Sequence, residues 1–123
     1  MAGLKDERII KRGEIWAADL RPGKGFEVAK IRPVVIVSAD SINSEFPLVI
    51  VTPISSQIPP VTGFDQVLLK QKQTGLKKDS VILVSNLRSI DRSRLTKKVG
   101  KISKAKLLEV EDSLKLTLGL KDI

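Results

Sequence analysis

The 123 residues include neither histidine nor cysteine. Acid/base work by this chain therefore falls to Asp, Glu, Lys, Arg or hydroxyl groups, and thiolate nucleophiles, disulfides and His- or Cys-built metal sites are excluded. Within that restricted set a few positions stand out. Arg32 lies immediately before the β-branched run Pro33-Val34-Val35-Ile36-Val37-Ser38, and Ser55 and Ser56 follow a second such run, Pro47-Leu48-Val49-Ile50-Val51-Thr52. Glu27 comes five residues before Arg32, in a stretch that also carries Arg21, Lys24, Phe26 and Lys30. A planar guanidinium can bind two phosphate oxygens at once, a hydroxyl can donate to a phosphoryl oxygen, and an exposed Phe can stack on a base. Taken alone, the same residues also fit an arginine paired at a strand entrance, a turn-capping serine and a solvated loop carboxylate.

Lys and Arg total 22 against 14 acidic residues, a net charge of +8 and a pI near 9.9. A positive surface concentrates polyphosphates and speeds their encounter, so nucleic acid leads the partner classes. With one Trp, three Phe and no Tyr, an extended stacking platform is ruled out. The hydrophobic fraction of 41% and charged fraction of 29% are those of one folded soluble domain, and no apolar run approaches the ~20 residues of a membrane span. The polar start lacks an apolar leader region, which predicts a cytoplasmic protein.

The elements that must position these groups are short. Residues 1–10 read as a flexible arm and 11–123 as a single domain. Glu14-Ile15-Trp16-Ala17-Ala18-Asp19-Leu20 is a strand, followed by the turn-rich Arg21-Pro22-Gly23-Lys24-Gly25. The two β-branched runs are too continuous for half-exposed strands and predict central ones, each opening on a proline. Ser41–Ser44 is a loop or a single helical turn. Further strands are expected over Gln66–Lys70, Ser80–Val84 and Lys98–Ile102, with a lysine-rich connection around Gly75. Ser103 is an N-cap for a helix to about Leu118, with Leu107, Val110, Leu114 and Leu118 on one face and Gly119 as its stop. The class is mainly β with a C-terminal helix, the strands forming a small curved sheet or barrel. Trp16 is expected in the core or at an interface between copies.

In order along the chain, Lys11-Arg12-Gly13-Glu14-Ile15-Trp16, Asp19-Leu20, Ile31-Arg32-Pro33-Val34-Val35-Ile36-Val37, Val51-Thr52-Pro53-Ile54-Ser55-Ser56-Gln57, Asp79-Ser80-Val81-Ile82-Leu83 and Leu87-Arg88-Ser89-Ile90-Asp91 resemble the MazF/PemK toxins of type II toxin–antitoxin systems. That resemblance implies an SH3-like barrel of the MazF/PemK/CcdB type and a homodimer. It also implies cleavage of single-stranded RNA (mRNA) without metal or other cofactor, and a cognate antitoxin. In such a reaction the 2′-hydroxyl attacks phosphorus, and the resemblance assigns Arg32 to the phosphorane charge, Ser55 to a phosphoryl oxygen and Glu27 to the base. Ser56 is the one-residue alternative for the hydroxyl, and Arg21, Lys24, Phe26, Lys30, Ser56, Gln57 and Arg88 are the candidate RNA contacts. Two departures bear on the site: Ser85 stands where some relatives carry an acid, and Ala29 and Lys30 replace a pair of small residues. The alternative is a non-enzymatic, CcdB-like toxin that binds a protein target such as gyrase. The antitoxin is expected to inhibit through an acidic, partly disordered segment.

Overall fold

The computed structural model describes residues 6–27 and 30–122. Seven strands form one antiparallel sheet in the order β4-β5-β3-β2-β1-β7, with β6 paired to β3. The strands are β1 Glu14–Asp19, β2 Ile31–Ile36, β3 Leu48–Ser55, β4 Gln66–Leu69, β5 Ser80–Leu83, β6 Arg88–Asp91 and β7 Leu95–Lys101. A six-residue helix α1 (Asp40–Glu45) connects β2 to β3, and helix α2 (Lys104–Thr117) follows β7.

The β-branched runs form β2 and β3, and both faces of the sheet are covered as their continuity requires. Trp16, Ala18, Val34, Ile36, Val49 and Val51 belong to one apolar cluster, while Ile15, Val35, Ile54, Val67, Ile82 and Val110 belong to another. β3 changes partner along one edge, pairing with β6 through Leu48–Val51 and with β5 through Ile54 and Ser55. The two ends of the sheet meet where the β4–β5 connection crosses β7. A Cβ on Gly75 would lie 2.2 Å from the Val99 carbonyl oxygen, and one on Gly100 would lie 1.9 Å from that of Thr74. Only glycine permits so close a backbone approach.

Of the two prolines expected to open strands, Pro33 sits inside its strand and Pro47 lies just before β3. β2 starts two residues before Pro33, and β3 runs on through Pro53 to Ser55. The pairing of β2 to β3 spans Val34–Ile36 and ends at the pair Val34↔Pro53. A residue without an N–H cannot extend a ladder, so Pro33 and Pro53 mark its end. β7 begins at Leu95 rather than Lys98, and β6 was not foreseen. It is a four-residue edge strand whose single fully buried position, Ile90, leaves no apolar run to read.

α2 is capped as expected. The Ser103 hydroxyl accepts from Lys106 N–H at 3.1 Å. Gly119 has φ 72°, and Gly119 N–H→Leu116 O with Leu120 N–H→Lys115 O complete a Schellman ending. Val110 is fully buried with Leu107 and Leu114 packed beside it, whereas Leu118, past the last helical residue, is exposed.

The flexible arm expected over residues 1–10 is corrected for Asp6–Ile10; residues 1–5 lie outside those described. Ile10 is buried in the core. The Arg8 guanidinium donates to the carbonyls of Arg92 (2.9 Å) and Leu95 (2.6 Å), pairs with Asp6, and stacks 5.5 Å above the Trp16 ring. These partners are 84 and 87 residues distant in sequence, so local polarity gives no sign of them. Trp16 itself is a core residue, its indole N–H donating to Glu14 at 3.1 Å.

Candidate active site

The end of the β2–β3 ladder determines where the site opens. Continuing the Val34↔Pro53 register by two residues sets Arg32 opposite Ser55 and, by strand alternation, on the same face. With no ladder holding the strands there, a cleft of about 690 Å³ lies beside them. It is lined by Ala17, Lys30, Ile31, Arg32, Pro33, Ile54, Ser55, Ser56 and Gln57 on one side, and by Gly75–Lys78, Ser80 and Lys97–Val99 on the other.

Arg32 is half-buried and forms no ion pair among the described residues, and its Nε is buried without a hydrogen-bond partner. A buried guanidinium N–H left unmatched is costly, about 1–3 kcal/mol, unless a ligand oxygen completes it. The Ser55 hydroxyl oxygen accepts from Gln57 N–H at 3.1 Å. Ser55 is thus a turn-capping serine, but its own proton has no acceptor among the described residues and stays available to donate. Among the described residues five lysines line the cleft, Lys30, Lys77, Lys78, Lys97 and Lys98, and no carboxylate does. Among the described residues only Lys98 of the five is ion-paired, 2.6 Å from Glu14. Burial alone would raise the Glu14 carboxyl, but the Lys98 ammonium, Lys11 N–H and the Trp16 indole outweigh it and hold the group below the usual range.

The cleft therefore unites Arg32, Ser55, Ser56, Gln57 and Lys30, and leaves the other sequence candidates apart from them. Phe26, Glu27 and Arg88 line a second hollow of about 340 Å³ with Ser85, Asn86 and Leu87. There the Glu27 carboxylate accepts from Lys24 N–H (2.7 Å) while Glu27 N–H donates to the Lys24 carbonyl (3.1 Å), a reciprocal turn about Gly25. Phe26 is fully exposed on that turn, and Arg88 has a buried Nη1 without a partner. Lys24 and Arg21 line neither recess. Arg21 forks onto Asp19 at 2.9 and 3.0 Å, and its guanidinium and N–H bring the Asp19 carboxyl down to about 2. Ala29 lies outside the described residues. Lys77, Lys78, Lys97 and Lys98 escaped the sequence reading; the lysine-rich connection at Gly75 was visible, but nothing local shows that it faces β7. No group of three or more His, Cys, Asp or Glu side chains among the described residues is placed to hold a metal ion.

Residues 11–118 match the family of PemK-like, MazF-like toxins of type II toxin–antitoxin systems. The chain is 39% identical over 112 residues to endoribonuclease MazF of Staphylococcus epidermidis, covering 91% of this chain and 93% of that protein. The fold is similar to the crystal structure of MazF from Deinococcus radiodurans, with a TM-score of 0.81 and 24% identity over 92% of this chain and 99% of that one. It is also similar to a mycobacterial endoribonuclease solved in complex with its cognate antitoxin, with a TM-score of 0.75 and 19% identity over 93% and 99% of the two chains. With the family matched across the whole barrel and closing helix, and a relative this similar along nine-tenths of its length, the chain belongs to the PemK-like, MazF-like toxins of type II toxin–antitoxin systems.

Proposed function

We infer that this toxin endoribonuclease cuts single-stranded RNA in the cleft beyond the β2–β3 ladder, with the substrate's own 2′-hydroxyl attacking phosphorus. The observation that carries the reading is the juxtaposition of Arg32, with its unmatched buried Nε, and Ser55, with its free hydroxyl proton, in one cationic cleft. Attack by the 2′-oxygen gives a phosphorane whose equatorial oxygens carry the added charge. Arg32 donates to those oxygens, Ser55 donates to one of them, and the bond to the leaving 5′-oxygen breaks to give a 2′,3′-cyclic phosphate and a 5′-hydroxyl. Arginine remains protonated throughout, so it stabilises charge and does not act as the base. A base role for Glu27 requires its turn to bring the carboxylate from the second hollow to the cleft.

The relative that is 39% identical is an endoribonuclease, which favours catalysis over the gyrase-binding alternative. A homodimer carrying RNA across its face, and an antitoxin whose acidic, partly disordered segment competes for the same cations, complete the proposal. It is supported by the +8 charge and by the antitoxin complex solved for a protein of this fold.

Arg32→Ala should keep the fold and lower cleavage by at least two orders of magnitude, since one preorganised transition-state donor is worth about 2.7–4 kcal/mol. A 2′-deoxy nucleotide 5′ to the cut should abolish cleavage, and chelators should leave it unchanged. Near-normal turnover by Arg32→Ala, or products bearing a 5′-phosphate, would refute the mechanism.

A further inference from the structure

We propose that Lys77, Lys78 and Lys97 form a fixed phosphate-binding rim that holds the RNA backbone next to the scissile phosphate, an inference that rests on the endoribonuclease reading. The three are exposed, line the same cleft as Arg32 and Ser55, and have no ion pair among the described residues. They come from opposite ends of the sheet. Lys77 and Lys78 leave the β4–β5 connection, and Lys97 belongs to β7.

The fold forces these like charges together. The Gly75–Gly100 approach seats the connection on β7. Thr74 hydroxyl→Gln71 O (2.7 Å), Leu76 N–H→Thr74 hydroxyl (3.2 Å) and Gln71 N–H→Asp79 carboxylate (2.7 Å) then fix its course. Three ammonium groups around one recess without a lining carboxylate repel one another, and a polyanion threading the recess relieves that repulsion. Lys98 is set apart from this rim because its charge is taken up by Glu14.

Backbone phosphates carry no base identity and are the same in DNA, so the rim should bind single strands of either kind and act chiefly on affinity. Each phosphate neutralised on a single strand contributes about 0.7 to the slope of log affinity against log salt, so three lysines account for about 2. The test uses the full-length protein and the triple variant Lys77→Ala/Lys78→Ala/Lys97→Ala, with a single-stranded DNA oligonucleotide for binding and the matched RNA for cleavage. The slope should fall by about 2. Between 50 and 200 mM salt the unmodified protein should thus lose roughly 18-fold more affinity than the variant does. The loss of cleavage should appear in KM and not in kcat, and Lys→Arg at the same positions should restore the slope.

If the unmodified protein cleaves RNA but the triple variant keeps the same salt slope with an unchanged melting temperature, the rim is wrong and the activity stands. If the slope falls as expected while the unmodified protein cleaves no RNA, the rim stands and the endoribonuclease reading falls.

Discussion

Replacing Gly100 with alanine tests the contact on which the cleft's far wall depends. The new Cβ would lie 1.9 Å from the Thr74 oxygen and 2.7 Å from its carbonyl carbon. Ordinary contact with the Thr74 oxygen begins at 3.4 Å, so β7 and the β4–β5 connection would have to part by about 1.5 Å. Both sides of the contact are backbone, and no flexible side chain can turn aside. Overpacking of this kind typically costs about 1–3 kcal/mol, and a backbone-to-backbone clash belongs at the upper end, about 3 kcal/mol. For a domain of this size that is a fall in Tm of about 12 °C, at about 4 °C per kcal/mol. Urea unfolding should show a lower midpoint at an unchanged slope. In the folded fraction the displaced connection should also weaken single-strand binding and flatten its salt dependence. A loss below about 1 kcal/mol together with an unchanged salt slope would show that the approach neither closes the barrel nor positions the lysines.

Ser55→Ala should slow cleavage less than Arg32→Ala does, because it removes one neutral donor and not a charged fork; if only Ser56→Ala slows it, the hydroxyl assignment shifts by one residue. Ser103→Ala should destabilise by about 1 kcal/mol in urea unfolding through loss of the α2 cap, with cleavage of RNA preserved at temperatures where the variant is folded. The Glu14 carboxyl is held below its ordinary value near 4.5 when folded, so the unfolded chain takes up its proton first as pH falls. The stabilisation is complete above that ordinary value and is lost as pH drops through the folded one. Urea midpoints measured from pH 7 to pH 3 should fall less steeply in Glu14→Gln, and equal slopes would remove Glu14 from the acid response.

What the sequence made legible follows from how far apart the cooperating residues lie. The runs ending at Ser38 and Thr52 bury both faces, and continuous β-branched residues have few other uses, so β2 and β3 were readable. The α2 caps were readable because Ser103 and Gly119 act within a few residues of themselves. Arg32 and Ser55 were found through motif resemblance, and the pairing geometry explains why those positions meet: the ladder ends at Val34↔Pro53, two residues short of each. The lysine wall was hidden, since it depends on Gly75 meeting Gly100 across 25 residues. The docking of Asp6–Ile10 was hidden for the same reason, because it rests on carbonyls near the far end of the sheet.

The separation of Glu27 from the cleft bears on how proton removal is arranged. Among the described residues cations and hydroxyls line the cleft and no carboxylate does, so its walls suit charge developing on phosphorus better than abstraction of a proton. Glu27 is the carboxylate closest in sequence to Arg32, on a turn held by the Lys24 N–H bond. Exchanging that bond for one to a substrate hydroxyl involves a net free energy of about 1 kcal/mol. An enzyme typically lowers its barrier by about 8 kcal/mol or more. The loss of that one bond is thus small on the scale of catalysis, whereas the place of Glu27 in the second hollow, away from Arg32 and Ser55, is what a base role would have to overcome.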